Sequence, residues 1–254
     1  MGREVSINFP PTRIISLVPS QTELLHDLGL SDEVIGITKF CVHPENWFRS
    51  KARIGGTKKL DLEKIRSLNP DLIIANKEEN TQEEIEILSN EFPVWISDIQ
   101  SLHDAIEMIQ EVGQITNRAE RAASISSEIQ RSFSNINPTY PAKKVLYLIW
   151  KSPYMAAGRN TFINEMLEKC GFQNAVNEPS SRYPEISVEQ ISALNPELIF
   201  LSSEPFPFKG KHTEEIIAAF PNSKVLEVDG EYFSWYGSRL KDAAKYFESI
   251  IDSI

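Results

Sequence analysis

Long hydrophobic runs are missing from this chain, and none approaches the roughly 20 apolar residues of a membrane-spanning helix. Basic charge is short as well: 26 Lys and Arg stand against 36 Asp and Glu, for a formal net charge of −10. That balance argues against nucleic acid or an anionic membrane surface as the main partner, since both need basic patches. Cysteine is scarce, with Cys41 and Cys170 in different halves, and the pair reads as two free thiols of a reduced compartment. Cys170 closes a helix ahead of Gly171 and is expected in the core. The opening Met1-Gly2-Arg3-Glu4-Val5-Ser6 has neither the basic nor the apolar block of a secretory signal. Two compartments stay open: cytoplasmic if the chain as written is native, periplasmic or otherwise extracytoplasmic if a signal was removed. Catalytic signatures are also absent, with no Gly-x-Ser-x-Gly elbow, Walker lysine or Rossmann glycine fingerprint. We therefore expect no enzyme. The histidines His26, His43, His103 and His212 are scattered without the paired spacing of a metal site, so no metal centre is expected.

What the chain does contain is a sentence written twice. Leu60-Asp61-Leu62-Glu63-Lys64-Ile65-Arg66-Ser67-Leu68-Asn69-Pro70-Asp71-Leu72-Ile73-Ile74-Ala75 is echoed by Ile186-Ser187-Val188-Glu189-Gln190-Ile191-Ser192-Ala193-Leu194-Asn195-Pro196-Glu197-Leu198-Ile199-Phe200-Leu201. Each copy translates the same way. A polar cap, Asp61 or Ser187, opens a short helix with apolar positions three or four apart. Asn-Pro ends it, because proline disfavours a helical residue before it, and a buried apolar strand follows. Two such units predict two similar lobes with a cleft between them, and hence a ligand-binding protein.

Strands alternate with helices along both halves, which predicts doubly wound parallel sheets. In the first half the predicted strands are Arg13 to Val18, Val34 to Thr38, Leu72 to Ala75 and Val94 to Ile96. In the second they are Lys144 to Ile149, Leu198 to Leu201 and Val225 to Val228. Between the halves, Asn117 to Phe133 carries Ala119, Ala122, Ala123, Ile125, Ile129 and Phe133 at helical spacing, without proline or glycine. It is predicted to be one long helix ending before Pro138, a stiff strut joining the lobes. The expected organisation is an N-terminal α/β lobe over residues 1–116, a connecting helix over 117–137 and a C-terminal α/β lobe over 138–254.

In open parallel sheets, ligands collect beyond the carboxyl ends of the strands. The segments falling there include Phe40 to Pro44, Gly55 to Lys58 and Asn76 to Asn80 in the first half. In the second they include Trp150 to Tyr154, Arg182 to Pro184, Ser202 to Phe206 and Glu231 to Gly237. Aromatic residues concentrate in the second set, and rigid rings suit a broad, flat, partly apolar ligand. Trp150 closes an apolar strand and reads equally as core or as lining. Trp235 and Tyr236 fall in a polar, glycine-flanked loop where burial is harder to arrange, which favours a ligand role. Trp47 and Phe48 read as anchors of their own loop, Gly55-Gly56 as a tight turn, and Lys77-Glu78-Glu79 as a solvated charge run.

Taken together, these features resemble the helical-backbone (class III) substrate-binding proteins of ABC importers, and within them the cobalamin- and ferric-siderophore-binding branch. The resemblance spans nearly the whole chain, from Arg13-Ile14-Ile15-Ser16-Leu17-Val18-Pro19-Ser20 to Ser234-Trp235-Tyr236-Gly237-Ser238-Arg239. It implies two Rossmann-like lobes joined by one long helix, a ligand gripped between them, and an ABC permease as partner. It also implies one exposed glutamate per lobe docking onto that permease; Glu63 and Glu189 match by position, though acids in a first helical turn also complement the helix dipole. One departure stands out: where cobalamin binders tend to place tryptophan after the paired small residues, this chain has Thr57.

On this basis the expected function is non-enzymatic binding of a corrinoid such as cobalamin in the interlobe cleft, by a monomer with no intrinsic cofactor. Trp150, Tyr154, Tyr183, Tyr232, Trp235 and Tyr236 are expected to supply apolar walls, and Lys58, Arg159, Arg182 and Arg239 to hold polar or anionic side groups. The alternative within the class is a haem or ferric-siderophore binder with His43 as axial ligand. The rival class is a cytoplasmic metal-tetrapyrrole chaperone or enzyme, for which Glu78 and Glu204 are the nearest acid–base candidates.

Overall fold

The computed structural model describes residues 5–138, 141–177 and 181–254. Residues 1–4, read above for a secretory signal, lie outside that description. The described chain divides into two compact units, and neither is one unbroken stretch. The first runs through Ile99 and adds His103–Gln130 and Trp235–Lys241. The second takes Gln100–Leu102, Arg131–Ser234 and Asp242–Ile254.

The chain begins with β1 (Ile14–Ser16), α1 (Pro19–Asp27), β2 (Val34–Ile37), α2 (Glu45–Ser50) and β3 (Ala52–Arg53). A hairpin of β4 (Gly55–Gly56) and β5 (Lys59–Leu60) precedes α3 (Leu62–Leu68), β6 (Leu72–Asn76), α4 (Gln82–Ser89) and β7 (Val94–Ser97). Then come α5 (Leu102–Ile115) and α6 (Ala119–Ser134). Strands β3, β2, β1, β6 and β7 lie side by side in that order, all parallel. Every residue of β1 and β6 is buried, as expected of a parallel sheet covered on both faces. β2 pairs on one side of β1 and β6 on the other, so the winding reverses there, and the carboxyl ends of β1 and β6 form the switch point of this sheet.

α6 is unbroken, as its lack of proline and glycine predicts. It buries Ala122, Ile125, Ile129 and Phe133 and leaves Ala119 and Ala123 exposed. The passage from the first unit to the second falls inside this helix, after Gln130.

The second unit holds β8 (Lys144–Trp150), β9 (Met155–Ala156), α7 (Phe162–Lys169), β10 (Gln173–Asn174), α8 (Val188–Leu194), β11 (Leu198–Ser202), α9 (Lys211–Ala219), β12 (Lys224–Val228) and α10 (Gly230–Ser234). The last helix, α11 (Leu240–Asp252), starts in the first unit and finishes in the second. The parallel order is β10-β8-β11-β12, with the winding reversing at β8. To these parallel strands the structure adds antiparallel pairs, β8 with β9 and β4 with β5, because their connections are far too short for a crossover. Alternate residues of the central strands feed two faces. Leu146, Leu148, Ile199 and Leu201 enter one apolar cluster with Ile191 and Ile216. Tyr147 and Phe200 enter an aromatic one with Phe233 and Phe247, where Tyr147–Phe233 and Phe233–Phe247 ring centroids lie 5.1 and 4.8 Å apart. Burial of Phe233 there turns the expected loop after Gly230 into the short helix α10.

The duplicated sequence folds the same way twice. The Asp61 side chain accepts the Lys64 amide at 2.9 Å, and Ser187 forms a reciprocal capping box with Gln190. Asn69 and Asn195 end the two helices at φ of 44° and 46°, the left-handed conformation that asparagine tolerates. The acids after Asn-Pro have a matching task. Asp71 accepts the Thr12 and Arg13 amides, each at 2.8 Å, and Glu197 accepts the Lys144 amide at 3.0 Å. In return, the basic side chain at the mouth of the central strand caps the helix carbonyls: Arg13 donates to Leu68 and Asn69, and Lys144 to Leu194. The repeat thus encodes a helix, its stop, and a latch that sets the register of the strand beside it.

Candidate functional site

The two sheets present their carboxyl ends within their own units, and the expected ligand residues are divided between them. Lys58, Trp235, Tyr236 and Arg239 belong to the first unit; Trp150, Tyr154, Arg159, Arg182, Tyr183 and Tyr232 belong to the second.

In the first unit the switch point rests on a buried polar network. Gln21 of α1 donates to Ser97 Oγ at 2.6 Å, and Asn76 Nδ2 donates to the same oxygen at 3.0 Å. Thr22 Oγ1 donates to Ser16 Oγ at 2.7 Å and packs beside the buried Cys41. The Thr57-Lys58 turn of the β4–β5 hairpin stands above this floor. Gly55 precedes the turn at φ +95°, and a Cβ there would sit 2.5 Å from the Lys59 carbonyl oxygen, so the close hairpin requires glycine. The glycine pair is therefore one strand of the hairpin, and the turn itself is Thr57-Lys58. Lys58 is exposed, and its ammonium donates to the Glu78 carbonyl.

Trp235 and Tyr236 correct the expectation of an open polar loop. Trp235 is 6% and Tyr236 4% exposed, because this stretch folds onto α1. Glu23 of α1 receives Arg239 Nε at 3.0 Å and Nη2 at 2.8 Å, a bidentate pair. The guanidinium lies over the Trp235 ring at 4.7 Å, and the His43 ring meets Trp235 edge-on at 5.6 Å. One helical turn along, Asp27 receives Lys241 Nζ at 2.8 Å. The first candidate anion-holder, Arg239, thus has its charge countered inside the fold.

The carboxyls of these two acids shift in opposite directions. Burial pushes the Glu23 carboxyl up, and the charge and hydrogen bonds of Arg239 only partly offset it. Burial acts on Asp27 too, but the hydrogen bond and charge of Lys241, with help from Ser238 and His26, hold its carboxyl below the ordinary 3.8. A depressed carboxyl contributes stability that is present above the ordinary value and is lost as pH falls through the folded value. Asp27→Asn is therefore expected to cost about 1 kcal/mol at neutral pH and to weaken the acid dependence below pH 3.8. Urea midpoints measured across that range check it.

In the second unit, Trp150 ends β8 with 39% of its surface exposed, braced edge-on by Phe206 at 5.6 Å. Phe206 in turn packs on Phe208 at 4.8 Å and on His212 at 5.1 Å. From sequence Trp150 reads equally as core or as lining, and the structure shows a partly open ring. A bridge between Met155 and Glu185 and the hydrogen bonds Ala156 to Pro184 and Gly158 to Arg182 lay residues 182–185 along β9. That pairing brings the Arg182-Tyr183 stretch alongside the segment from Tyr154 to the exposed Arg159. Tyr232 is stacked on Tyr246 at 4.6 Å and 22°. Glu204, an acid–base candidate, accepts the Ser234 hydroxyl at 2.6 Å and so ties the loop after β11 to α10. Sequence reasoning left Phe206, Glu23 and Asn80 off the site. Phe206 and Asn80 each had a signal, as the last residue of a carboxyl-end segment, whereas Glu23 had none.

Glu63 and Glu189 occupy equivalent first turns of α3 and α8 and are exposed. Glu63 pairs with Arg66 at 2.6 Å, and Arg66 is also held by Glu91; Glu189 instead accepts the Ser187 hydroxyl at 2.7 Å, which lowers its carboxyl pKa. Among the described residues no group of three or more His, Cys, Asp and Glu side chains is placed to hold a metal ion. No described helix is long and apolar enough to cross a membrane.

Two wound sheets, duplicated latches and aromatic carboxyl-end loops are the features of a substrate-binding protein. The periplasmic binding protein family model matches residues 14–226, and the chain belongs to that family. Among curated relatives, the vitamin B12-binding protein of Vibrio campbellii is 25% identical over 253 residues, covering 96% of this chain and 92% of that one. Among solved structures, the fold is shared with the periplasmic vitamin B12 binding protein BtuF of Vibrio cholerae: TM-score 0.83, 22% identity, covering 97% of this chain and 98% of that one. It is shared also with a periplasmic heme binding protein from Pseudomonas aeruginosa: TM-score 0.80, 21% identity, 96% and 94% covered.

Proposed function

We propose that this protein binds a corrinoid of the cobalamin kind and delivers it to an ABC importer, acting by capture and not by turnover. Trp150 carries the reading: a large ring left 39% exposed at the carboxyl end of a switch-point strand, held at a fixed angle by Phe206. Such a ring offers a rigid apolar wall to a broad macrocycle at small entropy cost. The full-length similarity to a vitamin B12-binding protein supports the corrin ring as that macrocycle. In this reading Lys58, Tyr154, Arg159, Arg182 and Tyr183 contact the ligand. The buried Trp235 and Tyr236, with the half-buried Arg239, support the first unit's rim. Glu63 and Glu189 are the permease contacts, and the protein works outside the cytoplasm.

Calorimetry with cyanocobalamin, haem and a ferric hydroxamate tests the ligand. Cobalamin is expected to bind most tightly, and Trp150→Ala to weaken it about tenfold or more, since an aromatic contact of this kind is worth about 1–3 kcal/mol. The melting temperature of that variant should fall only slightly, because the ring is partly open. Absence of cobalamin binding in the wild-type chain overturns the proposal. A haem-binding reading rests on His43 beside Trp235; a haem absorbance band lost in His43→Ala is the result that favours it.

A further inference from the structure

Asn80 is 4% exposed and lies at the meeting of three segments of the first unit. Its Oδ1 accepts the Asn76 amide at 2.9 Å, which closes the turn after β6. Its Nδ2 donates to the Thr57 carbonyl at 3.1 Å, in the β4–β5 turn, and to the Leu17 carbonyl at 3.4 Å, where β1 gives way to α1. Asn76 completes the arrangement. Its Oδ1 accepts the Glu78 and Glu79 amides at 2.8 and 3.1 Å, and its own amide side chain is anchored on Ser97. Asn76 thereby sets the Glu78 carbonyl that receives the Lys58 ammonium, while Asn80 sets the backbone from which Lys58 projects.

We infer that Asn80 is a positioning residue for ligand capture, pinning the Thr57-Lys58 turn to the switch point of the sheet so that Lys58 is presented at a fixed place. The inference rests on the corrinoid reading, and on Lys58 as a contact in it. The chemistry explains the residue type. A planar primary amide supplies two donors and an acceptor from one short side chain, and three backbone groups on separate segments use them. Aspartate at this position keeps the acceptor but turns oxygen toward two carbonyl oxygens. Alanine loses all three bonds and leaves buried carbonyls unsatisfied. A lysine on an untethered hairpin surrenders its freedom when ligand arrives, whereas a tethered one has surrendered part of it on folding.

The experiment compares wild type, Asn80→Ala, Asn80→Asp, Lys58→Ala and the Lys58→Ala/Asn80→Ala double variant, by calorimetry with cyanocobalamin and by hydrogen exchange of the peptide carrying Thr57 and Lys58. Asn80→Ala is expected to lose about tenfold in affinity and to speed exchange in that turn. The double variant is expected to bind no worse than Lys58→Ala alone, because the two act through one group. Asn80→Asp, which spares the Asn76 bond, gives the same readout if the alanine variant does not fold. Unchanged affinity in both Asn80 variants, or losses that multiply in the double variant, overturn the inference while leaving the corrinoid reading in place. A wild-type chain that binds no cobalamin overturns both.

Discussion

Gly237→Ala is expected to destabilise the protein by about 3 kcal/mol, at the upper end of what overpacking costs. A Cβ at this position would stand 2.3 Å from the Ser20 carbonyl oxygen and 3.2 Å from its carbon, both backbone atoms of the first turn of α1. Neither can swing aside as a flexible side chain does. The added methyl must push residues 235–241 off α1, and that stretch carries Trp235, Arg239 and Lys241. Urea denaturation should show a lower midpoint with little change in slope. Cobalamin affinity should fall as well, since the same displacement disturbs the edge-on contact of Trp235 with His43. A midpoint within error of wild type would mean that α1 and the returning segment are not pressed together as described.

Arg239→Ala should cost about 2–3 kcal/mol at neutral pH, somewhat less than the roughly 3–5 kcal/mol of breaking a fully buried pair, because both side chains keep some solvent contact. Glu23, 20% exposed in the intact protein, then loses its bidentate donor. The sign of the pH dependence follows from its carboxyl, which burial already raises above the ordinary 4.5. A raised acid contributes stability that is fully present below the ordinary value and is lost as pH rises through the folded one. Removing Arg239 takes away the charge that limited this rise, so the deficit of the variant should grow from acid toward neutral pH. Glu23→Gln in the Arg239→Ala background should recover part of the loss at pH 7 and little of it near pH 4. A deficit that is flat with pH, or one that Glu23→Gln deepens, contradicts this account of the pair.

How much was legible beforehand depends on how far along the chain each cause lies. The helix–Asn-Pro–strand units could be read because cap, stop and apolar strand are neighbours in sequence, and the capping residues Asp61 and Ser187 perform as their types predict. The continuity of α6 is equally local, fixed by what is missing from residues 119–134. Burial of Trp235 and Tyr236 was not legible, since it depends on Glu23 and Asp27 meeting Arg239 and Lys241 from the opposite end of the chain. Likewise α10 exists because Phe233 finds Tyr147 and Phe247, and the Glu231–Gly237 stretch alone carries only aromatic and turn signals. Asn80 was visible as a polar loop residue, but its three backbone partners come from segments no sequence pattern joins. Candidate ligand residues could be named from strand ends, whereas the groups that hold them in place could not.

The return of Trp235–Lys241 to the first unit bears on how this protein can be divided in the laboratory. An expression fragment stopping at residue 137 keeps the whole β3-β2-β1-β6-β7 sheet yet strips Glu23 and Asp27 of α1 of Arg239 and Lys241. The complementary fragment carries an orphaned cationic strip with no acidic helix to receive it. Halving the gene at its apparent midpoint therefore yields two sticky pieces, and a split version of this protein is better made by cutting an exposed turn and letting both parts assemble.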